Sequence, residues 1–275
     1  MPAFYAHQRF GYDVLGQLPE VLQTQLEKEK DLFTIGLQGP DPFFYFRPLT
    51  KNVVKSLGSK LHNLSGRQFF GKLLPYHDAE KAYLTGVLCH FMLDSTCHGY
   101  VWEKTAEGPA SHEEIESDFE RFLLDKDGRV PASAVLTDEF HPSMRSAKAI
   151  AAVYSEAVPA ISWPLIDDDL KDVIFFQNIL LCPTEAKRKG LMSVLHLMKK
   201  DHSLGGHIVK NEPDPNCTES SAHLMTLYDE ALRKAIPQIE NYLNASDAEE
   251  IHEMLKDDAY AYDFEGEVHD HAGSV

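Results

Sequence analysis

Apolar positions recur along this chain with a period near 3.6 residues, the spacing that lays one stripe along a helix. The pattern predicts helices over Ala79 to Trp102, His112 to Leu124, Met144 to Ala157, Leu170 to Leu181, Ala222 to Tyr242 and Ala248 to Leu255. Start signals agree with it. Ser111 with Glu114, and Ser246 with Glu249, read as S-x-x-E capping boxes, Pro19 is placed to open a helix, and Asp78 to cap the one from Ala79. Runs of alternating β-branched residues are missing, and no Asn-Gly or Asp-Gly hairpin joins two apolar stretches. Loops are expected near Gly39 to Thr50, Glu107 to Ala110, Asp125 to Leu136 and Gly205 to Asn216. No low-complexity linker divides the chain, so the expected fold is all-α, a single multi-helix domain.

Composition narrows the function classes. At 275 residues the chain can bury a sizeable core. Its 26 basic residues against 43 acidic ones give a formal net charge of −17, which opposes adhesion to nucleic acid. The same charge suits divalent cations, although solubility alone explains most of such a surplus. The opening MPAFYAHQRFG lacks the pattern of a signal peptide, and no run of about 18 apolar residues occurs. A cytoplasmic location is the default expectation, with export by another route left open. Cys89, Cys97, Cys182 and Cys217 are too few and scattered for a disulfide framework and read as buried thiols.

Candidate chemistry begins in "HFMLDSTCHGY", residues 90 to 100. His90, Asp94 and His98 follow at four-residue intervals, so on a helix they lie at angles of about 0°, 40° and 80°. Phe91 stands beside that stripe, with Leu88 and Met92 on the far side, free to pack. Imidazole and carboxylate are preferred zinc ligands, and the stripe is long enough to serve two ions with Asp94 between them. A solvated polar face is the alternative. In "SHEEIESDF", His112 and Glu116 repeat the spacing on the next helix, which a short loop would fold back against the first. His98, His112 and Glu116 could then make a three-ligand site with an open position. Asp41 sits in the Gly/Pro loop "GLQGPDPFFYF", His62 on a helix in "LGSKLHNL", and His7 near the start. Singly, each of these three also reads as a turn former or a helix-surface residue.

The order His7, Asp41, His62, His90-x-x-x-Asp94, His98, His112-x-x-x-Glu116 resembles the bacterial zinc-dependent phospholipase C family, whose superfamily includes the fungal single-strand nucleases. The resemblance covers roughly residues 1 to 125. Its specific parts are the two i, i+4 pairs and the fourteen residues from His98 to His112. It implies two or three zinc ions in an all-α fold. Asp41, His62, His90 and Asp94 would hold the first ion, and His98, His112 and Glu116 the second. Asp94 would bridge to the second, and Asp41 would reach a third ion, bound also by His7 and the N-terminal residue. Family members open, after processing, with a tryptophan, whereas this chain opens Met1-Pro2, and its Asp94–His98 interval is the shorter one. Residues 1–125 would then be a metal-binding helical core and 126–263 a continuation of the same domain. Residues 264–275 are expected to form a flexible tail.

On that resemblance the substrate is a phospholipid or another small phosphodiester, attacked by metal-bound hydroxide, with Asp41 as ligand and general base. Transient membrane-surface contact through Trp102 and some rings of Phe43, Phe44, Tyr45 and Phe46 goes with it, although such an aromatic cluster more often reads as core; nucleic acid is not the expected partner, and no protein partner is identifiable. A nuclease or nucleotidase on the same metals, or a helical protein that binds metal or lipid without turnover, are the alternatives. His77 ranks behind His62 as a ligand. His196, His202 and His207, spaced six and five apart, do not share a helix face and read as surface or loop residues, with a lid over the site as the other reading. His141, His223 and His252 read as structural, His269 and His271 as solvated, and Lys187-Arg188-Lys189 as a solvated face.

Overall fold

The computed structural model describes residues 4–48, 50–155, 158–201 and 203–269. Its centre is set by one helix, α7 in chain order (Lys81–Glu107), in which every residue from Tyr83 to Asp94 is buried. A helix apolar on nearly all sides must be surrounded. Before it come α1 (Phe4–Leu15), α2 (Glu20–Glu27), α3 (Lys30–Gly36), α4 (Pro42–Tyr45), α5 (Val53–His62) and α6 (Gly66–Gly71). After it come α8 (His112–Lys126), α9 (Met144–Ser155), α10 (Trp163–Leu180), α11 (Glu185–Leu197), α12 (Thr218–Asn244) and α13 (Ala248–Met254). Among the described residues there is no strand, only an isolated bridge between Tyr262 and Val268, so the chain is all-α as expected.

Two neighbours flank α7 most closely. The 27-residue α12 lays Leu224, Tyr228, Ala231, Ala235, Ile239 and Tyr242 along it, a helical stripe that ties the C-terminal half into the same core. On another side α3 crosses at Gly36 and Gly86, where the backbones touch. A Cβ on Gly36 would lie 2.1 Å from the Tyr83 carbonyl oxygen, and one on Gly86 2.3 Å from that of Phe33. Each buried Leu, Val or Phe around these crossings contributes about 1.5–3 kcal/mol.

Several predicted details hold. The Ser111 capping box is formed, with Ser111 Oγ accepting from Glu114 N and Glu114 returning to Ser111 N. Others are corrected. Asp247, not Ser246, caps α13 by accepting from Glu249 N and Glu250 N. Asp78 opens a 3-10 turn, and α7 starts only at Lys81. The predicted loop from Gly39 contains the short α4. The helix from Met144 is described to Ser155; its expected end at Ala157 lies outside the described residues. The segment expected to trail free after Asp263 is packed as far as residue 269: Phe264 is fully buried and Phe264 N donates to the His62 carbonyl.

Helix α10 begins at Trp163, seven residues before the apolar pattern suggests, because Asp167, Asp168, Asp169 and Asp172 interrupt that pattern. Asp169 is fully buried with no hydrogen-bond partner for either oxygen, and burial raises its pKa well above the usual carboxylate range. The folded chain therefore keeps this proton where the unfolded chain has lost it, so stability is undiminished below about pH 4 and falls as pH rises past it. Asp169→Asn, neutral at every pH, is expected to raise Tm by on the order of 2–4 °C at pH 7 and to leave it nearly unchanged at pH 4. Equal shifts at both pH values in calorimetry would remove the protonated acid from the account.

Candidate metal centre

The crossing of α3 on α7 carries the site with it. Immediately past α3 the Leu37 carbonyl lies 3.1 Å from His90 Nδ1. Gly39 follows with φ +52°, a conformation that favours glycine, and a Cβ there would sit 2.4 Å from the His90 ring. That turn delivers Asp41 to the position just before α4, where it faces His62 at the end of α5. Asp41 Oδ1 is 2.9 Å from His62 Nε2 and 4.0 Å from His90 Nε2. One turn along α7, Asp94 Oδ2 is 2.9 Å from His90 Nε2. His7 enters from α1, its Nε2 3.2 Å from Asp94 Oδ1 and its ring stacked on that of His90 at 3.9 Å.

The second group lies one further turn along. His98 Nε2 stands 3.1 Å from Glu116 Oε1, and His112 Nε2 lies 3.2 Å from the same oxygen. Asp94 Oδ1, 3.8 Å from His98 Nε2, lies between the two groups. Three donor sets have all their atoms within 4.8 Å of one another: His7, Asp41 and His90; His62, His90 and Asp94; and His98, His112 and Glu116. All eight residues singled out in the sequence thus converge on one elongated centre. Asp94 faces His7, His90 and His98 at once, and Asp41 stands with His7 as well as with His62. The N-terminal residue lies outside the described residues.

Ring orientation is fixed from behind. His62 Nδ1 is 2.8 Å from the Gly58 carbonyl, His90 Nδ1 faces Leu37, and His98 Nδ1 is 2.5 Å from the Phe264 carbonyl. Each Nδ1–H donates to a carbonyl and leaves Nε2 for the centre, the arrangement that orients metal-binding imidazoles. Glu120, one turn past Glu116, accepts from Tyr5 N and so anchors the first turn of α1, which carries His7. Burial pushes the Glu120 carboxyl up to about 8.

Charge decides what the centre wants. Burial alone would raise the carboxyls of Asp41, Asp94 and Glu116, yet all three lie below the usual range, Asp94 chiefly because the imidazoles of His90, His98 and His7 surround it. Burial would likewise lower His98, but Asp94 and Glu116 push it up to about 9; His90 is raised by Asp94 and Asp41 in the same way. His7, desolvated and stacked on His90, is lowered. Three buried carboxylates need compensating positive charge, and protons on histidines are one source. The other is a cation. Asp41 Oδ2 and His7 Nδ1 are buried without hydrogen-bond partners, and so are His90 Nε2 and Asp94 Oδ2 despite facing each other. This nitrogen and oxygen donor set fits zinc.

Around the centre, a narrow cleft is lined by His7, Asp94, His98 and Glu116 and walled by Leu93, Val101 and Phe119. Trp102, about half exposed, covers His112 at 4.5 Å between rings and donates its Nε1–H to Glu265. Phe43, Tyr45 and Phe46 are buried in the core. His77 pairs with Glu80 at 3.6 Å and belongs to none of the donor sets. His202 and His271 lie outside the described residues, while His269, read as solvated, bonds Asp263 at 2.8 Å. Sequence reasoning missed the strap around Phe264 and the placement of His207 beside α8, since neither shares a spacing with the ligands.

A family model described as zinc-dependent phospholipase C matches residues 6–174, more than half of the chain, and spans all eight converging residues. No curated protein and no solved structure matches it.

Protein purified without chelator is expected to carry two or three zinc ions per chain by plasma emission, with at least one lost in His90→Ala. In the metal-free protein His98 holds its proton up to about pH 9, whereas a ligand must be neutral. Zinc entry at pH 7 should therefore release protons, and affinity should climb by about tenfold per pH unit for each proton displaced. A pH-independent affinity between pH 6 and 8 would contradict this charge assignment.

Proposed function

Because the chain belongs to the zinc-dependent phospholipase C family, we propose that it hydrolyses a phospholipid phosphodiester, releasing diacylglycerol and a phosphorylated head group. The observation that carries this reading is the convergence of three buried donor sets on one centre, with Asp94 between two of them. His62, His90, Asp94 and Asp41 would hold one ion and His98, His112 and Glu116 another; His7, with Asp41, would serve a third. Zinc at such a centre supplies Lewis acidity toward phosphoryl oxygens and makes water acidic near neutral pH.

The chain's own groups do the rest. Asp41 binds His62 through Oδ1, while its buried Oδ2 has no hydrogen-bond partner and is available to orient a water molecule and take its proton. The apolar walls of Leu93, Val101 and Phe119 exclude bulk water from the reacting phosphate, which strengthens each charge interaction there. Trp102, half exposed beside His112, is placed to meet the lipid interface, where indole is favoured. The net charge of −17 works against a long polyanion in the same cleft.

Zinc-loaded protein should cleave short-chain phosphatidylcholine well above single-stranded DNA, read as diacylglycerol release against acid-soluble nucleotide. The reverse preference would move the assignment to a nuclease. Asp41→Asn should lower kcat by about 10²–10⁴ while the ions bound by the other ligands stay. Full turnover with unchanged zinc would remove Asp41 from the proton transfer.

A further inference from the structure

Helix α11 lies outside the region matched by the family, and of its thirteen residues only Leu195 is buried. Leu195 joins Cys182 and Ile208 in a small apolar cluster apart from the main core, with Leu191 and Met192 packed against it. The outward side is apolar as well. Val194 is 54% exposed, Leu197 86% and Met198 44%, and the three stand three and four residues apart, so they share one face. A helix facing water alone carries polar residues there.

Charge separates this helix from the rest of the chain. Residues 185–200 hold five basic side chains and one acidic, in a protein of net charge −17. At the start of the helix the cations are engaged: Lys187 donates to the carbonyls of Asn178 and Leu181, Arg188 donates to Glu185, and Lys189 lies 3.8 Å from the same acid. At the other end Lys199 and Lys200 are exposed and, among the described residues, have no acidic partner; Asp201, which follows them, faces His196 at 2.9 Å. Lys199 also takes φ +54° at the turn that closes α11, a conformation that favours glycine. A charged side chain is thus carried where the backbone alone would favour none.

Exposed apolar side chains with lysines at their end suit a helix that lies in the plane of a lipid interface. No described helix is long and apolar enough to cross a membrane. We propose that α11 docks the protein on an anionic lipid surface, with Val194, Leu197 and Met198 entering the headgroup layer and Lys199 and Lys200 meeting the lipid anions. A self-complementary contact between two copies of this chain would set like charges against each other, which disfavours a second copy as the occupant. The acidic remainder of the chain is repelled by such a surface, so the lysine end of α11 also sets the orientation. The proposal rests on the phospholipase reading, which gives the cleft a reason to lie at a membrane. The fold links the two: a Cβ on Gly205 would lie 2.9 Å from Met192 Sδ, and one on Gly206 2.8 Å from Glu113 Cβ. Two adjacent glycines therefore join α11 to the first turn of α8, which carries His112 under the Trp102 ring.

The test sediments zinc-loaded protein with vesicles of phosphatidylcholine alone, and of phosphatidylcholine with phosphatidylserine, in short incubations on ice. Wild type should bind the anionic vesicles more tightly than the neutral ones, and less so as salt is added. Lys199→Gln with Lys200→Gln should weaken binding to anionic vesicles on the order of 30-fold and leave neutral vesicles unaffected. Val194→Ser with Leu197→Ser should weaken binding to both by about 10- to 100-fold. All four side chains are exposed, so zinc content and helical circular dichroism should stay at wild-type values. Absence of binding by wild type, or wild-type binding in either variant, would overturn the docking. A wild-type dimer that the serine variant dissociates in analytical ultracentrifugation would overturn it too, by giving the face to a second copy. If the vesicles are bound through α11 but phosphatidylcholine is left uncleaved, the phospholipase reading fails and the docking stands. Cleavage without binding through α11 would do the reverse.

Discussion

Everything at the metal centre depends on how closely α3 approaches α7. Gly36 and Gly86 let two backbones meet where any side chain would hold them apart by more than an ångström. That contact brings the Leu37 carbonyl against His90, and the turn at Gly39 then passes directly over the imidazole. Asp41 arrives at its position as the next consequence. The first donor set is therefore assembled by backbone packing, and the geometry of its side chains is inherited from it.

The second constraint is electrostatic. Three carboxylates and four imidazoles are buried in the interior of a helical bundle, with His112 partly buried beside them, and unpaired charge is strongly disfavoured there. Their mutual pairing in the absence of metal is a compromise: each proton held by His90 or His98 occupies a nitrogen that a cation would use. Polar groups that weaken a core on their own terms are expected where the chain is built for chemistry, and Asp169 shows the contrast. It is as deeply buried, but it has no partners and belongs to no donor set.

What could be read from the sequence follows from which interactions have a fixed spacing. The stripe of His90, Asp94 and His98, and the pair His112 and Glu116, are one-turn relations within helices that actually form, so the pattern exposes them. Asp41, His62 and His7 were legible only through their order along the chain, because a loop, a helix end and a third helix have to meet to join them. The groups that aim the rings were not legible at all. Carbonyls of Leu37, Gly58 and Phe264 do the aiming, and a carbonyl carries no residue-type signal. The region after Asp263 was misjudged for a similar reason: its polar composition resembles a loose end, while one buried phenylalanine and a few backbone hydrogen bonds hold it against α7.

The strap gives the centre a temporal property. His7 is among the first ligands to be synthesised, and the Phe264 carbonyl that aims His98 is made after every ligand. At ordinary rates of translation the interval is on the order of tens of seconds. During it, the nascent chain can gather the first donor set while His98 lacks the carbonyl that fixes its Nδ1 side. The centre is thereby kept incomplete until the strap that follows the last helix has left the ribosome.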